Sequence, residues 1–530
     1  MRFAFISAEK ACYPVAVLCD ALEVSTSGYY ASLTRLVSAH QRRDEVLRVE
    51  VRAIHEESGK RYGEPRVFEV LAASSMNSRS TRRNSPEEAP RPGACDRRHR
   101  APVREYGGQV SDLARAASKQ LTNYRRTSYA VWELTLACNL ACGHCGSRAG
   151  HARPNELSTT EALDLVQQLA DAGITEVTLI GGEAYLRRDW LDIAAAITRA
   201  GMLCTMTTGG LGLSRPTVQR MLDAGIARAS VSVDGLEAVH DRQRGVPGSF
   251  RAALRSLEHF KAVGLPSSAN SQLNRLSMRE LPALYEALRE VGITSWQLAM
   301  TVPMGNAVEQ REWLLQPAEF DAVFSVLARV ARRARQEAIK IMTGNNVGYY
   351  GPHERLLRGH ARPEANVFWQ GCGAGMDGLG IEADGTIKGC PSLPTSAYAG
   401  GSIRDAKLTE ILDRPLLRFN EGAGTADADA QLWGRCGQCQ YKKLCRGGCT
   451  WTAHVFFGRR GNNPYCHHRA LTLAKEGLRE RVELERPATG QPFDHGVFRL
   501  IEEPLDARWP ENDPLHFTHA DFPAGWEHHP

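Results

Sequence analysis

The chain has 530 residues, too many for one hydrophobic core, so two to four domains are expected. Its apolar content of 42% and charged content of 24% are those of a globular protein, and no apolar run is long enough to span a bilayer. The net charge of +5 is concentrated: eight arginines from Arg79 to Arg104 stand against Glu87, Glu88 and Asp96. The remainder is close to neutral, so the surface carries no general nucleic-acid footprint. Met1 to Lys10 lacks the charged-then-apolar order of a secretory signal, and a cytoplasmic location is expected. Thiols stay reduced there, so the fourteen cysteines point to metal rather than to disulfides.

Residues 1–73 read as a helical segment. Val15 to Leu22, a break at Glu23-Val24 and Ser25 as N-cap before Gly28-Tyr29-Tyr30 give a helix-turn-helix pattern. With Met1 to Ile6 and Tyr62 to Val67, this stretch resembles the start of an insertion-sequence transposase. No integrase-like core with three carboxylates follows, so it is taken as a transposase fragment fused in frame rather than a working DNA-binding module. Residues 74–127 are rich in Ser, Arg, Pro and Gly and read as a basic low-complexity linker.

From Tyr129 strands and helices alternate. Strands are predicted at Val131–Thr135, Glu176–Ile180, Leu203–Thr207, Ala229–Val233, Ser267–Leu273 and Ser295–Leu298. Helices are predicted from the Ser158/Glu161 capping box to Ala172, then at Trp190–Arg199, Arg215–Ala224, Ser249–Val263 and Met278–Val291. The fold class is therefore α/β, a partial (β/α)6 barrel of the triosephosphate-isomerase (TIM) type over 128–310. A helical linker over 311–364, with a helix at Phe320–Ala338, leads to a cysteine-rich domain over 365–480 and a tail of little periodicity over 481–530.

Ten cysteines form two clusters. Cys138-x3-Cys142-x2-Cys145 follows the first strand, where a barrel holds its reactive centre. Cys372, Cys390, Cys436, Cys439, Cys445, Cys449 and Cys466 make the second. A cubane usually takes four cysteines, so three leave one iron open to another ligand. The alternative is a zinc site, for which His144 is adjacent but cramped. Cys12, Cys19, Cys95 and Cys204 show no partner pattern and read as buried or incidental.

The first triad resembles the radical S-adenosylmethionine (SAM) superfamily. That resemblance implies a [4Fe–4S] cluster on Cys138, Cys142 and Cys145. Its fourth iron would chelate SAM, which splits on one-electron reduction to give a 5′-deoxyadenosyl radical. Further matches follow successive strands: Gly181-Gly182-Glu183 for the SAM ammonium, Thr207 for the ribose, and Ser232 with Arg244 for the carboxylate. His144 stands where an aromatic residue packs on adenine. The usual proline after Glu183 is Ala184 here, and Thr208 stands where Asn is frequent.

The second cluster resembles the SPASM extension of that superfamily. By resemblance Cys436, Cys439, Cys445 and Cys466 hold one auxiliary cluster. Cys372, Cys390 and Cys449 hold another, one thiolate short, because Asn366 to Gly371 lacks the expected cysteine. Relatives mature ribosomally made peptides, activate sulfatases or act in haem pathways. Pro391 replaces the acidic residue that sulfatase maturases carry after the cysteine matching Cys390. The expectation is a peptide maturase, with a precursor peptide as substrate and a reductant such as flavodoxin or ferredoxin. The alternatives are a SPASM oxidoreductase of a tetrapyrrole or other small molecule, and an iron–sulfur DNA-binding regulator. Asp234 and Asp377 are candidate proton carriers.

Overall fold

The second strand, Glu176-Val-Thr-Leu-Ile180, explains the sheet in miniature. Val177 and Leu179 are fully buried against the helices, while Thr178 points to the other face and carries its hydroxyl into a polar chain. A strand covered on both faces belongs to a parallel sheet wrapped by helices. The computed structural model describes residues 127–359, 369–420, 430–511, 513–516 and 518–522, with Ile6, Val15, Val17, Cys19, Val24, Ser25, Thr26 and Tyr29.

Seven strands pair in parallel in chain order: β1 (Tyr129–Glu133), β2 (Glu176–Ile180), β3 (Leu203–Thr208), β4 (Ile226–Ser232), β5 (Ser267–Leu273), β6 (Ser295–Met300) and β7 (Lys340–Thr343). Between them run α1 (Thr159–Asp171), α2 (Trp190–Arg199), α3 (Arg215–Asp223), α4 (Glu237–Arg244), α5 (Ser249–Val263), α6 (Ser277–Val291) and α7 (Phe320–Gln336). In α1 the capping box closes as predicted, with Ser158 Oγ accepting from the Glu161 amide and Glu161 Oε2 accepting from the Ser158 amide at 2.8 Å. Ala162, Leu165, Val166 and Leu169 make its buried stripe.

Period-two alternation divides each strand. Trp132, Leu179, Met206 and Val231 face the helices and are buried. The opposite face is polar: Tyr129 Oη meets Thr178 Oγ1 at 2.8 Å, Thr178 meets Thr205 at 2.7 Å, and Ser268 donates to Ser230 at 2.9 Å. Such hydroxyl pairs satisfy donors that water no longer reaches. Glu133, at the end of β1, lies on this inner face opposite Ile180.

β7 falls inside the stretch read as a helical linker. Lys340-Ile-Met-Thr343 has only four residues, too short for its period to register. On the other side β8 (Gly378–Ile381) runs parallel to β1 and continues into antiparallel β9 (Thr386–Lys388) and β10 (Ala399–Ser402). The barrel sheet therefore continues directly into the cysteine-rich region.

The stretch read as a tail also carries structure. β11 (Leu478–Arg486) and β12 (Val497–Pro504) form an antiparallel hairpin, pinned where Gln316 donates to Val482 O at 3.2 Å and accepts from its amide at 2.7 Å. The sequence Leu-Arg-Glu-Arg-Val-Glu-Leu-Glu-Arg hides its alternation under charge. Those charges pair, Arg481 with Glu503 at 3.1 Å and Arg499 with Glu483 at 2.7 Å.

The chain divides into two units, 1–104 and 105–530. In the first, Ile6, Cys19 and Tyr29 are buried together and Thr26 is helical. The rest of the helical segment, the linker up to 126, Cys12, Cys95 and Asn366 to Phe368 lie outside the described residues. Cys204 is buried in β3. Among the described residues, no helix is long and apolar enough to cross a membrane.

Candidate functional site

The first three cysteines sit on the loop between β1 and α1, held from three sides. Cys138 N–H donates to Gly150 O at 3.1 Å, closing the loop's base. Ala141 N–H donates to Arg244 O at 3.0 Å and Gly143 N–H to Gln243 O at 2.9 Å, so the loop takes up orphan carbonyls at the C-terminus of α4. Asn306 donates its side-chain amide to Cys142 O at 2.9 Å and its backbone N–H to Cys145 O at 3.0 Å. Close approach demands glycine at two places. A Cβ on Gly182 would stand 2.2 Å from Ala137 O, and one on Gly245, at φ +69°, would stand 2.3 Å from Ala141 O.

Cys138, Cys142 and Cys145 are free thiols, each half-buried. Burial pushes Cys138 up to about 12, with Glu183 and the neighbouring thiols adding to the rise, and pushes Cys142 up to about 11 against the pull of Arg244. Buried thiols that oppose one another's ionisation suit a cationic centre that takes them as thiolates. Among the described residues no three His, Cys, Asp or Glu side chains close on a single point as ligands of one ion would. A cubane places each thiolate on a different iron, so its ligands stand further apart.

Glu183 follows β2 and is buried. Thr208 Oγ1 donates to its Oε2 at 2.5 Å, and Gly209 N–H donates to its Oε1 at 2.6 Å. Burial raises its carboxyl to about 7 against both bonds. Thr208, set aside in the sequence for want of the usual Asn, is thus the residue that orients Glu183. Thr207 and Ser232 are half-buried at the ends of β3 and β4.

Arg244 is engaged through both of its terminal nitrogens. Its Nη2 lies 2.6 Å from Asp234 Oδ2 and its Nη1 donates to Cys142 Sγ at 3.7 Å. Asp234 has no exposed surface; it also accepts from Gln272 N–H at 2.9 Å and stands 3.4 Å from His144 Nε2. Burial is the largest influence and opposes its ionisation, but Arg244, His144, His240 and the Gln272 N–H together hold the carboxyl below its ordinary value. Asp234 therefore anchors Arg244. Burial drives His144 down to about 4, so its ring is neutral near pH 7. His144 Nδ1 and Arg244 Nε are buried without a hydrogen-bond partner, which fits a site awaiting a polar ligand. Asp377 is exposed and off the cavity described next.

The seven later cysteines fall into two groups. Cys372 raises the pKa of Cys390, and both raise that of Cys449; Cys436 and Cys439 raise those of Cys445 and Cys466. Burial is the larger cause in each case, and it takes Cys390 to about 11 and Cys449 and Cys466 to about 12. Tyr349, Trp369 and Tyr398 wall them off, with Tyr349 Oη accepting from Cys449 N–H at 2.9 Å and Trp369 Nε1 donating to Cys445 O at 3.2 Å.

A cavity of about 210 Å³ lies between the two cysteine regions. His144, Gly146 and Gly181 face it from the first loop and β2; Pro391, next to Cys390, and Trp451 face it from the second region. Glu133, Glu382, Lys388 and Phe493 complete its wall. None of these four was singled out in the sequence. Glu133 ends an apolar strand on the inward phase and Lys388 stands two residues before Cys390, but neither signal tells a lining residue from a structural one.

Residues 132–288 match the family model of the radical SAM superfamily, and this part of the chain is a radical SAM domain. The chain is 29% identical to an AdoMet-dependent heme synthase of Methanosarcina barkeri, over 64% of its own length and 96% of that protein. It is 29% identical to the mycofactocin maturase MftC of Mycobacterium ulcerans, over 67% of its length and 93% of the relative. Among solved structures, anSMEcpe with bound AdoMet shares the fold at a TM-score of 0.52 and 14% identity, covering 65% of this chain and 95% of that one.

Proposed function

We propose that the protein is a radical SAM peptide maturase with a SPASM-type second region. The carrying observation is a cavity that touches both the triad loop and the residue next to Cys390. Cys138, Cys142 and Cys145 would hold a [4Fe–4S] cluster with one open iron. When bound with SAM and reduced by a flavodoxin or ferredoxin, that cluster supplies a 5′-deoxyadenosyl radical. Gly181, Gly182, Glu183, Thr207, Ser232 and His144 would hold SAM. Arg244, fixed by Asp234, offers its free Nε to the same ligand. Cys436, Cys439, Cys445 and Cys466, and separately Cys372, Cys390 and Cys449, would hold auxiliary clusters that accept an electron from the substrate.

The MftC relative supports the peptide reading. The heme synthase relatives support a second, a tetrapyrrole oxidoreductase. The deciding experiment is anaerobic reconstitution with iron and sulfide, followed by incubation with SAM, dithionite and synthetic peptides encoded beside the gene. A peptide product lighter by two hydrogens is expected. Turnover of an iron-tetrapyrrole with every peptide unchanged would favour the second reading.

A further inference from the structure

Four ionisable side chains meet at the cavity wall near β1, and they are unequally matched. Glu382 takes both nearby cations: Arg153 Nη1 donates to its Oε2 at 2.8 Å, and Lys388 Nζ lies 2.7 Å from its Oε1. Arg153 also reaches Asp384 at 3.4 Å, and Lys388 donates to Leu393 O at 2.8 Å. Glu133 is left with long contacts, Arg153 Nη2 at 3.5 Å and Ala383 N–H at 3.4 Å. It is 4% exposed and lines the cavity. Glu183, the other buried carboxylate of the site, has two short hydrogen bonds instead.

We propose that Glu133 is a catalytic residue: it takes the proton that the substrate gives up in this cavity. The proposal rests on the radical reading of the site. Hydrogen-atom abstraction breaks a substrate C–H bond and forms a C–H bond on the deoxyadenosyl methyl, leaving a carbon radical. A neighbouring N–H, O–H or C–H bond then breaks, and its proton passes to a Glu133 oxygen. Of the three electrons left, two make the new bond and one leaves to an acceptor of the iron–sulfur class. Without a local base, charge would build on the substrate as the bond forms.

The surroundings poise the group for this. Burial raises the Glu133 carboxyl to about 7, with Arg153 and Lys388 opposing and Glu382 reinforcing the rise. A base close to working pH can both take up a proton and return it to solvent. Placement agrees: Glu133 pairs in register with Ile180, one residue before the Gly181-Gly182-Glu183 turn.

The test uses full-length reconstituted protein and Glu133→Gln, with Glu133→Asp as the conservative variant. The first readout needs no substrate. Infrared difference spectra of protein labelled with isotopic glutamate, wild type minus Glu133→Gln, should show one carboxyl titrating near pH 7. A difference band that stays ionised from about pH 5 upward overturns the proposal. The second readout uses synthetic, side-chain-deuterated peptides encoded beside the gene. Glu133→Gln should still form deuterated 5′-deoxyadenosine, while product lighter by two hydrogens falls about 100-fold or more. Glu133→Asp should recover part of that loss. Wild-type product yield from Glu133→Gln overturns the assignment. If the wild type itself forms no labelled 5′-deoxyadenosine, the peptide reading fails, and the infrared titration alone decides whether Glu133 carries the proton.

Discussion

Arg148 and Asp494, 346 residues apart, share a hydrogen bond of 3.0 Å that ties the triad loop to the turn of the C-terminal hairpin. Arg148 adopts φ +49°, a conformation that needs support from its surroundings. It receives that support by also donating to Gly305 O at 3.0 Å and Asn306 Oδ1 at 2.9 Å. Asp494 in turn accepts from Gly490 and Gln491 amides, and Phe493 N–H donates to Gly146 O at 3.0 Å. The same turn therefore shapes the cavity and braces the loop of the proposed cluster.

Asp494→Asn should cost about 1–3 kcal/mol, the price of weakening a charged bond to a mostly buried partner. Thermal unfolding of the reconstituted protein measures this. Phe493→Ala, which removes a wall of the cavity without touching Arg148, should raise the peptide KM and cost about 1–3 kcal/mol, because its ring packs on the core and under the Lys388 ammonium.

Thr208→Val keeps side-chain volume and removes the hydroxyl bond to Glu183. Loss of a hydrogen bond to a charged group is worth about 1.5–3 kcal/mol. SAM binding should weaken by about 10- to 100-fold in equilibrium dialysis of the reconstituted protein. Thr207→Val should weaken it less if Thr207 touches only the ribose. Equal effects would place the two side chains on the same task.

Two histidines outside the cysteine loops predict acid sensitivity. Burial lowers His240 and His454 from 6.5 to about 4. Each therefore binds its proton in the unfolded chain first. Stability is full above about pH 6.5 and falls as pH drops toward 4, with about 3 kcal/mol at stake for His240. Glu133 and Glu183, raised to about 7 from 4.5, act in the opposite sense and gain stability on acidification. The denaturant midpoint of His240→Phe should rise relative to that of wild type as pH falls from 7 to 4, because the change removes the His240 contribution and leaves His454 and the glutamates in place.

Iron removal should act unequally on the two cysteine regions. The triad loop is strapped by backbone bonds to α4 and Asn306, and the barrel beneath it has its own core. The second region has a small core to which Cys372, Cys445 and Cys449 themselves belong. Chelation should expose residues 369–475 to proteolysis while β1–β7 stay protected in hydrogen exchange.

The barrel was legible because Leu179-like and Thr178-like positions alternate in strands long enough to show it, and because Ser158 caps its helix as the sequence suggests. The seventh strand was not, since four residues carry no period. The hairpin was hidden by paired arginines and glutamates that read as solvent-facing. At the site, the cysteines stood out through their spacing, and Glu183 and Arg244 through the family resemblance. Glu133, Lys388 and Phe493 did not, because their roles depend on which segments the fold brings against them, and β9 and the hairpin turn come from more than 240 residues away.

The account turns on what the triad does to SAM. Anaerobically reconstituted wild type and Cys138→Ala, Cys142→Ala and Cys145→Ala variants should be given SAM and dithionite without added peptide, and 5′-deoxyadenosine quantified. The account predicts formation by the wild type and none by any of the three variants. A wild-type protein with full iron content and no 5′-deoxyadenosine, or a variant that still forms it, would contradict the account.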